Sequence, residues 1–225
     1  IVCNICQSNC TILIWNNRHL IWKKKVPTNY LEILRPDLIL KQAMGYDYIS
    51  SSSYGVLNDG DSDPTEVLGI IDQPNKIVAV SDIYSAEIRN FTSAHELGHA
   101  ILHEQSILHR DKVDSLGNKK IRDEKEIEAD KFATYFLMPK KGVTEEFENR
   151  YSKQIFQINE DSAFKFGGRT TSDLKKENKS LRSLSKKLAS SEMYDGKRFV
   201  SLSEVFKVSN EAMAIRLEEL NLVKY

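Results

Sequence analysis

The stretch FTSAHELGHAILHE, Phe91 to Glu104, constrains this chain more than any other. It sets histidines at 95, 99 and 103, three of the five in 225 residues. On a helix, positions four apart stack on one face, one turn from each other. His95 and His99 therefore offer two imidazole nitrogens to one point, while Glu96 projects about 100° around the axis. This is the H-E-x-x-H arrangement, in which two histidines bind a metal and the glutamate moves the proton beside it. The competing reading is a chance stripe on a polar helix face. A third ligand decides between them, because catalytic zinc takes three protein ligands and keeps a fourth position open.

Geometry speaks against His103 as that ligand. It lies a further turn, about 5.4 Å, along the same helix, and three donors on one straight stripe do not converge on a tetrahedral ion. A glycine-led turn to a later histidine is another known solution. Here the glycine, Gly98, precedes His99, and no later histidine stands at that spacing. The better donor lies downstream, in EKEIEADKFATYFLMP. Glu126 is the preferred ligand. Asp130, one turn on, is placed to accept the N–H of a liganded histidine and fix its tautomer. Glu128, about 200° from Glu126, cannot share its face. Glu124 stays open as a rival.

Basic and acidic residues number 32 each, so no bulk field draws the chain toward nucleic acid or membrane. The early apolar run TILIWNNRHLIW is broken by polar residues and shorter than the ~20 residues a span needs. It lacks the basic lead and cleavage site of a signal peptide, so a cytoplasmic protein is expected. Cys3, Cys6, Cys10 and His19 offer part of a zinc-knuckle spacing without its second ligand pair. Reduced thiols in an N-terminal segment, 1–25, of unknown role are the preferred reading. From Asn29, NYLEILRPDLILKQAMGYDYI reads as a helix interrupted or restarted at Pro36. EVLGIID and KIVAVSD, separated by QPN, predict a hairpin. Ser85 or Asp82 then caps a helix carrying Ile88 to about Glu104.

Residues 105–120 read as a loop, and a second helix over RDEKEIEADKFATYFLM stops at Pro139. Leu174, Leu181, Leu184 and Leu188 suggest one amphipathic helix. Two short helices are expected around Val208–Ser209, with helix-turn-helix-like spacing. The division is thus 1–25, a core domain over 26–150 and a C-terminal helical region over 151–225.

RNFTSAHELGHAILH followed by EIEADKFATYFLMP resembles the ImmA/IrrE family of bacterial zinc metallopeptidases. That family's pattern is a phenylalanine-threonine lead into HELGH, then E-x-x-A-[ND]-x-F-A ending in L-M-P. The resemblance covers about Val67 to Pro139, and VFKVSNEAMAIRLEELNLV is similar to a C-terminal segment common in these proteins. One departure is Ser93, where family members more often carry an apolar residue. The resemblance implies an α+β, zincin-like metallopeptidase core, with a small antiparallel sheet packed on the active-site helix. Carried over by position, it implies one Zn2+ held by His95, His99 and Glu126, with Glu96 as the base. It further implies a protein substrate, a helix-turn-helix repressor cleaved in an anti-repressor role, and genes frequent on mobile elements.

Zinc would polarise the scissile carbonyl, Glu96 would carry the proton, and a donor is needed for the oxyanion. His103, Tyr135 and His109 are all candidates for that donor. For His103, an interior or capping role competes with a substrate contact. Two other readings are a repressor-binding module without activity, against which an intact Glu96 speaks, and a DNA-binding regulator. Lys175 to Arg198 holds eight basic and three acidic residues. Glu211, Glu218 and Glu219, however, sit on the would-be recognition helix and repel phosphate. The C-terminal region is therefore read as protein-contacting, without direct nucleic-acid binding.

Overall fold

The computed structural model describes residues 14, 16, 18–22, 26–52, 56–57, 65–104, 109–112, 124–152 and 155–225. Cys3, Cys6 and Cys10 lie outside the described residues. The chain divides into two compact units, Ile1–Leu137 and Met138–Tyr225. No helix among the described residues is long and apolar enough to cross a membrane.

The first unit begins with helical turns, α1 (Arg18–Ile21) and α2 (Pro36–Leu38), the latter continuing as a π turn over Ile39–Ala43. Pro36 sits in the first turn of α2, where its missing N–H has no partner to lose, so it restarts a helix and does not kink one. Gly45, at φ +73°, then turns the chain out of helix. The end of the stretch read as helical from Asn29 is in fact a strand, β1 (Asp47–Ser51).

β1 joins β2 (Val56–Leu57), β3 (Thr65–Asp72), β4 (Ile77–Ser81) and β5 (His109–Lys112) in one sheet, in the order β1-β4-β3-β2 with β5 also on β3. The expected hairpin is present as β3 and β4, with Asp72 opposite Ile77. β1 pairs with β4 in parallel, so the sheet is mixed and not wholly antiparallel. β5 falls inside the segment read as a loop. HRDK has no strand pattern of its own and is recruited by the backbone of β3, opposite Val67 to Ile71.

Two helices complete this unit, α3 (Ala86–Leu102) and α4 (Glu124–Leu137). Ser85 holds the N-cap position of α3. Every α3 residue from Thr92 to His99 is buried, because β3 covers one side and α4 another. Two glycines set how closely those elements approach. A Cβ on Gly98 would stand 3.2 Å from Ala129 Cα and from Phe132 Cδ1 on α4. A Cβ on Gly69 of β3 would stand 2.6 Å from Glu96 Oε1 and Thr92 Cγ2 on α3. Ser93, the departure from the family pattern, donates to Arg89 O at 2.8 Å and so accepts from the Tyr48 hydroxyl of β1 at 2.7 Å. It ties α3 to the sheet.

The second unit contains α5 (Lys140–Tyr151), β6 (Phe156–Gln157), α6 (Glu160–Lys165), α7 (Thr171–Glu177), α8 (Leu181–Ser190), β7 (Met193–Tyr194), β8 (Lys197–Arg198), α9 (Leu202–Phe206), α10 (Asn210–Glu219) and β9 (Val223–Lys224). Its core includes Tyr151, fully buried among Phe147, Phe156, Phe166 and Tyr194, with its hydroxyl donating to Leu188 O at 2.6 Å. The leucines at 174, 181, 184 and 188 belong to two helices and not one. Two capping boxes, Thr170 with Asp173 and Ser180 with Ser183, start α7 and α8 separately. The short helices around Val208–Ser209 are present as α9 and α10, with Ser209 accepting from Ala212 N. Arg182 Nε and Nη2 donate to the two oxygens of Glu218 at 2.8 and 2.9 Å, and Nη1 donates to Glu211 at 2.6 Å. Lys186 also pairs with Glu211. These cations hold both carboxyls below their usual range.

The contact at Gly98 makes a prediction. Gly98→Val puts three carbons where one is already too close, so the α3–α4 crossing must open, at a cost of about 1–3 kcal/mol. Thermal or urea unfolding of the two proteins should show that loss, and an unchanged midpoint would mean the crossing is looser than described.

Candidate metal centre

His95 and His99 stack on α3 as their spacing requires, with ring centroids 4.7 Å apart and the two Nε2 atoms 2.9 Å apart. α4 brings Glu126 to the same point. Its Oε2 lies 3.3 Å from His95 Nε2 and its Oε1 lies 3.3 Å from His99 Nε2. One donor atom from each residue therefore falls within 4.8 Å of the others. Glu124, the rival left open by the sequence, is exposed at the start of α4.

This donor set fits a small divalent ion. Bonds of ~2.05 Å at a tetrahedral centre place its donors roughly 3.3 Å apart, and two imidazole nitrogens with one carboxylate are ordinary zinc donors. The tautomer of His95 agrees. Asp130 Oδ1 lies 3.0 Å from His95 Nδ1. A carboxylate accepts, so Nδ1 carries the proton and the neutral ring presents its lone pair at Nε2, toward His99 and Glu126. Which histidine Asp130 serves was not legible in the sequence.

Glu96 leaves the ligand stripe for another face of α3, as 100° of rotation demands, and is fully buried beside Gly69 of β3. A glycine within an otherwise β-branched strand is a signal of close backbone approach, and EVLGIID carried it. A shift of register between Val67 and Gly69 along β5 marks the same place.

His103 is the C-cap of α3, buried, with its N–H on His99 O at 3.1 Å. Its Nδ1 lies 3.0 Å from His99 Nδ1 and its Nε2 lies 3.1 Å from Glu128 Oε2. Gln73, in the turn between β3 and β4, donates to His99 O at 2.8 Å and to His103 O at 3.0 Å. His103 O is a carbonyl that the helix end leaves without an internal partner, and His99 O takes this bond in addition to the one from His103 N–H. In the sequence, QPN reads only as a turn. His109 lies in β5, and Tyr135 lies on α4.

Residues 56–158 match the family model Peptidase_M78, described as the IrrE N-terminal-like domain. This domain belongs to the ImmA/IrrE family. No curated protein matches the chain. The family is one of peptidases, and on the matched domain His95, His99 and Glu126 lie close enough to bind a metal. The HELGH and E-x-x-A-D segments of the family pattern are thus the two helices that meet at the centre.

Two measurements test these placements. In a chelator competition series, Asp130→Asn should weaken zinc 10–100-fold or less, since an amide oxygen still accepts from His95. Glu126→Gln should weaken it more; the opposite ranking would exchange the two roles. Separately, Gly69→Ala drives a methyl against Glu96. It should keep zinc yet lower peptidase turnover by about tenfold or more, and wild-type turnover would show that Glu96 has room to move.

Proposed function

We propose that this ImmA/IrrE member is a zinc-dependent endopeptidase of the cytoplasm, with a zincin-like core, and that it acts as an anti-repressor by cleaving a helix-turn-helix transcriptional repressor. The observation that carries the peptidase part is the convergence of His95, His99 and Glu126 from two helices, with a fully buried Glu96 one face away. The substrate class rests on the family resemblance.

His95, His99 and Glu126 would hold the ion, with Asp130 keeping the His95 ring in the tautomer that presents Nε2. Zinc bound there would supply the Lewis acidity that makes water a nucleophile near neutral pH and polarises the scissile carbonyl. Glu96 takes a proton as the water oxygen bonds to the carbonyl carbon. It then delivers that proton to the amine nitrogen as the carbon–nitrogen bond breaks. Water is consumed, and a carboxyl and an amine result. Burial of Glu96 keeps bulk water from competing for that proton.

Pairing of Arg182 and Lys186 with Glu211 and Glu218 supports a protein-contacting role for the second unit, because it removes two cations from those available to phosphates. The test uses purified full chain loaded with zinc and a candidate helix-turn-helix repressor. Wild type should yield two fragments. Glu96→Gln should retain zinc and cleave slower by a factor on the order of 10² or more. Equal rates would remove Glu96 from the mechanism, and binding by both without cleavage by either would establish sequestration instead.

A further inference from the structure

We infer that His103 and Glu128 form a positioning pair for His99, doing through one intervening imidazole what Asp130 does directly for His95. This rests on the reading of His95, His99 and Glu126 as zinc ligands. The starting point is the 3.0 Å contact between His99 Nδ1 and His103 Nδ1. Two neutral rings meeting at that distance share one proton, so one nitrogen donates and the other accepts.

The two ends of the chain of contacts decide which. Glu128 Oε2 stands 3.1 Å from His103 Nε2 and, as a carboxylate, accepts. His103 therefore carries its proton on Nε2 and presents a lone pair at Nδ1. His99 must then carry its proton on Nδ1, which leaves its Nε2 lone pair facing His95 Nε2 and Glu126. The reverse arrangement fails at both ends. It would point a bare His103 Nε2 at a carboxylate oxygen, and it would put the His99 proton on Nε2, where a metal must bind.

His103 is held in place for this. Its N–H bonds to His99 O, and its own carbonyl accepts from Gln73, which grips His99 O as well. The same full turn that takes His103 out of reach of the ion brings its ring to 5.1 Å from that of His99, where it meets the far nitrogen. With both of its nitrogens engaged, His103 has no N–H left for a substrate oxyanion.

The test is zinc affinity by chelator competition, with the visible spectrum of the cobalt-substituted protein as a second readout of ligand geometry. His99→Ala and Glu126→Ala serve as controls for the site itself. His103→Leu should weaken zinc by about 10–100-fold and alter the cobalt spectrum, and Glu128→Ala should weaken it less. The double variant should be no worse than His103→Leu alone, since the two act in series. His103→Gln, whose amide oxygen can accept from His99, should recover most of the affinity. Should His103→Leu not fold, Glu128→Ala and His103→Gln still decide, because the Glu128 carboxylate is 35% exposed and its removal leaves packing intact. Wild-type affinity in Glu128→Ala, or strictly additive losses in the double variant, overturns the pair. If the two controls keep zinc, the ligand assignment fails instead.

Discussion

The fold of the first unit turns on a polar helix placed where an apolar one would ordinarily sit. From Thr92 to His99, α3 is buried on all sides, yet five of those eight residues are polar. Buried polar groups stay only where partners meet them, since leaving one unsatisfied costs on the order of 1–3 kcal/mol. For Ser93, His95 and His99 the surrounding elements supply those partners. β1 sends Tyr48 to Ser93, and α4 sends Asp130 to His95 and Glu126 to both histidines. The end of α3 itself supplies His103 to His99. A helix of this composition has little stability by itself, so its environment and its chemistry are specified together.

Close approach is the second half of that arrangement. Partners can meet α3 only if the helix lies tight against both β3 and α4, and each contact is made at a glycine. Gly98 lets the backbone of α4 come near enough for Glu126 to reach between the two imidazoles. Gly69 gives the Glu96 side chain a place against the sheet. One glycine thus governs where Glu126 stands and the other where Glu96 stands. Neither touches the proposed ion.

The centre also has an asymmetry with a structural origin. His95 lies toward the middle of α3, where a residue of the neighbouring helix can reach its Nδ1 directly. His99 lies in the last turn, and its Nδ1 meets the residue that ends the helix. Gln73 closes that same helix end from the β3–β4 turn. Helix termination and the setting of the His99 ring therefore share residues.

Local spacing was enough for the sequence to determine the stacking of His95 and His99, the offset of Glu96, the one-turn spacing of Glu126 and Asp130 and the β3–β4 hairpin. Each depends only on helix or strand periodicity or on a turn, which act over a few residues. Tertiary structure decided what lies across elements. It chose Glu126 over Glu124, gave Asp130 to His95, recruited HRDK as β5 and laid β1 parallel to β4. Glu128 shows the reason most plainly. Its angle on α4 does exclude it from the face of Glu126, as the sequence indicated. Only the crossing of α3 and α4 reveals that the face it does occupy meets His103, because helical phase is set by the chain but the angle between helices is set by packing.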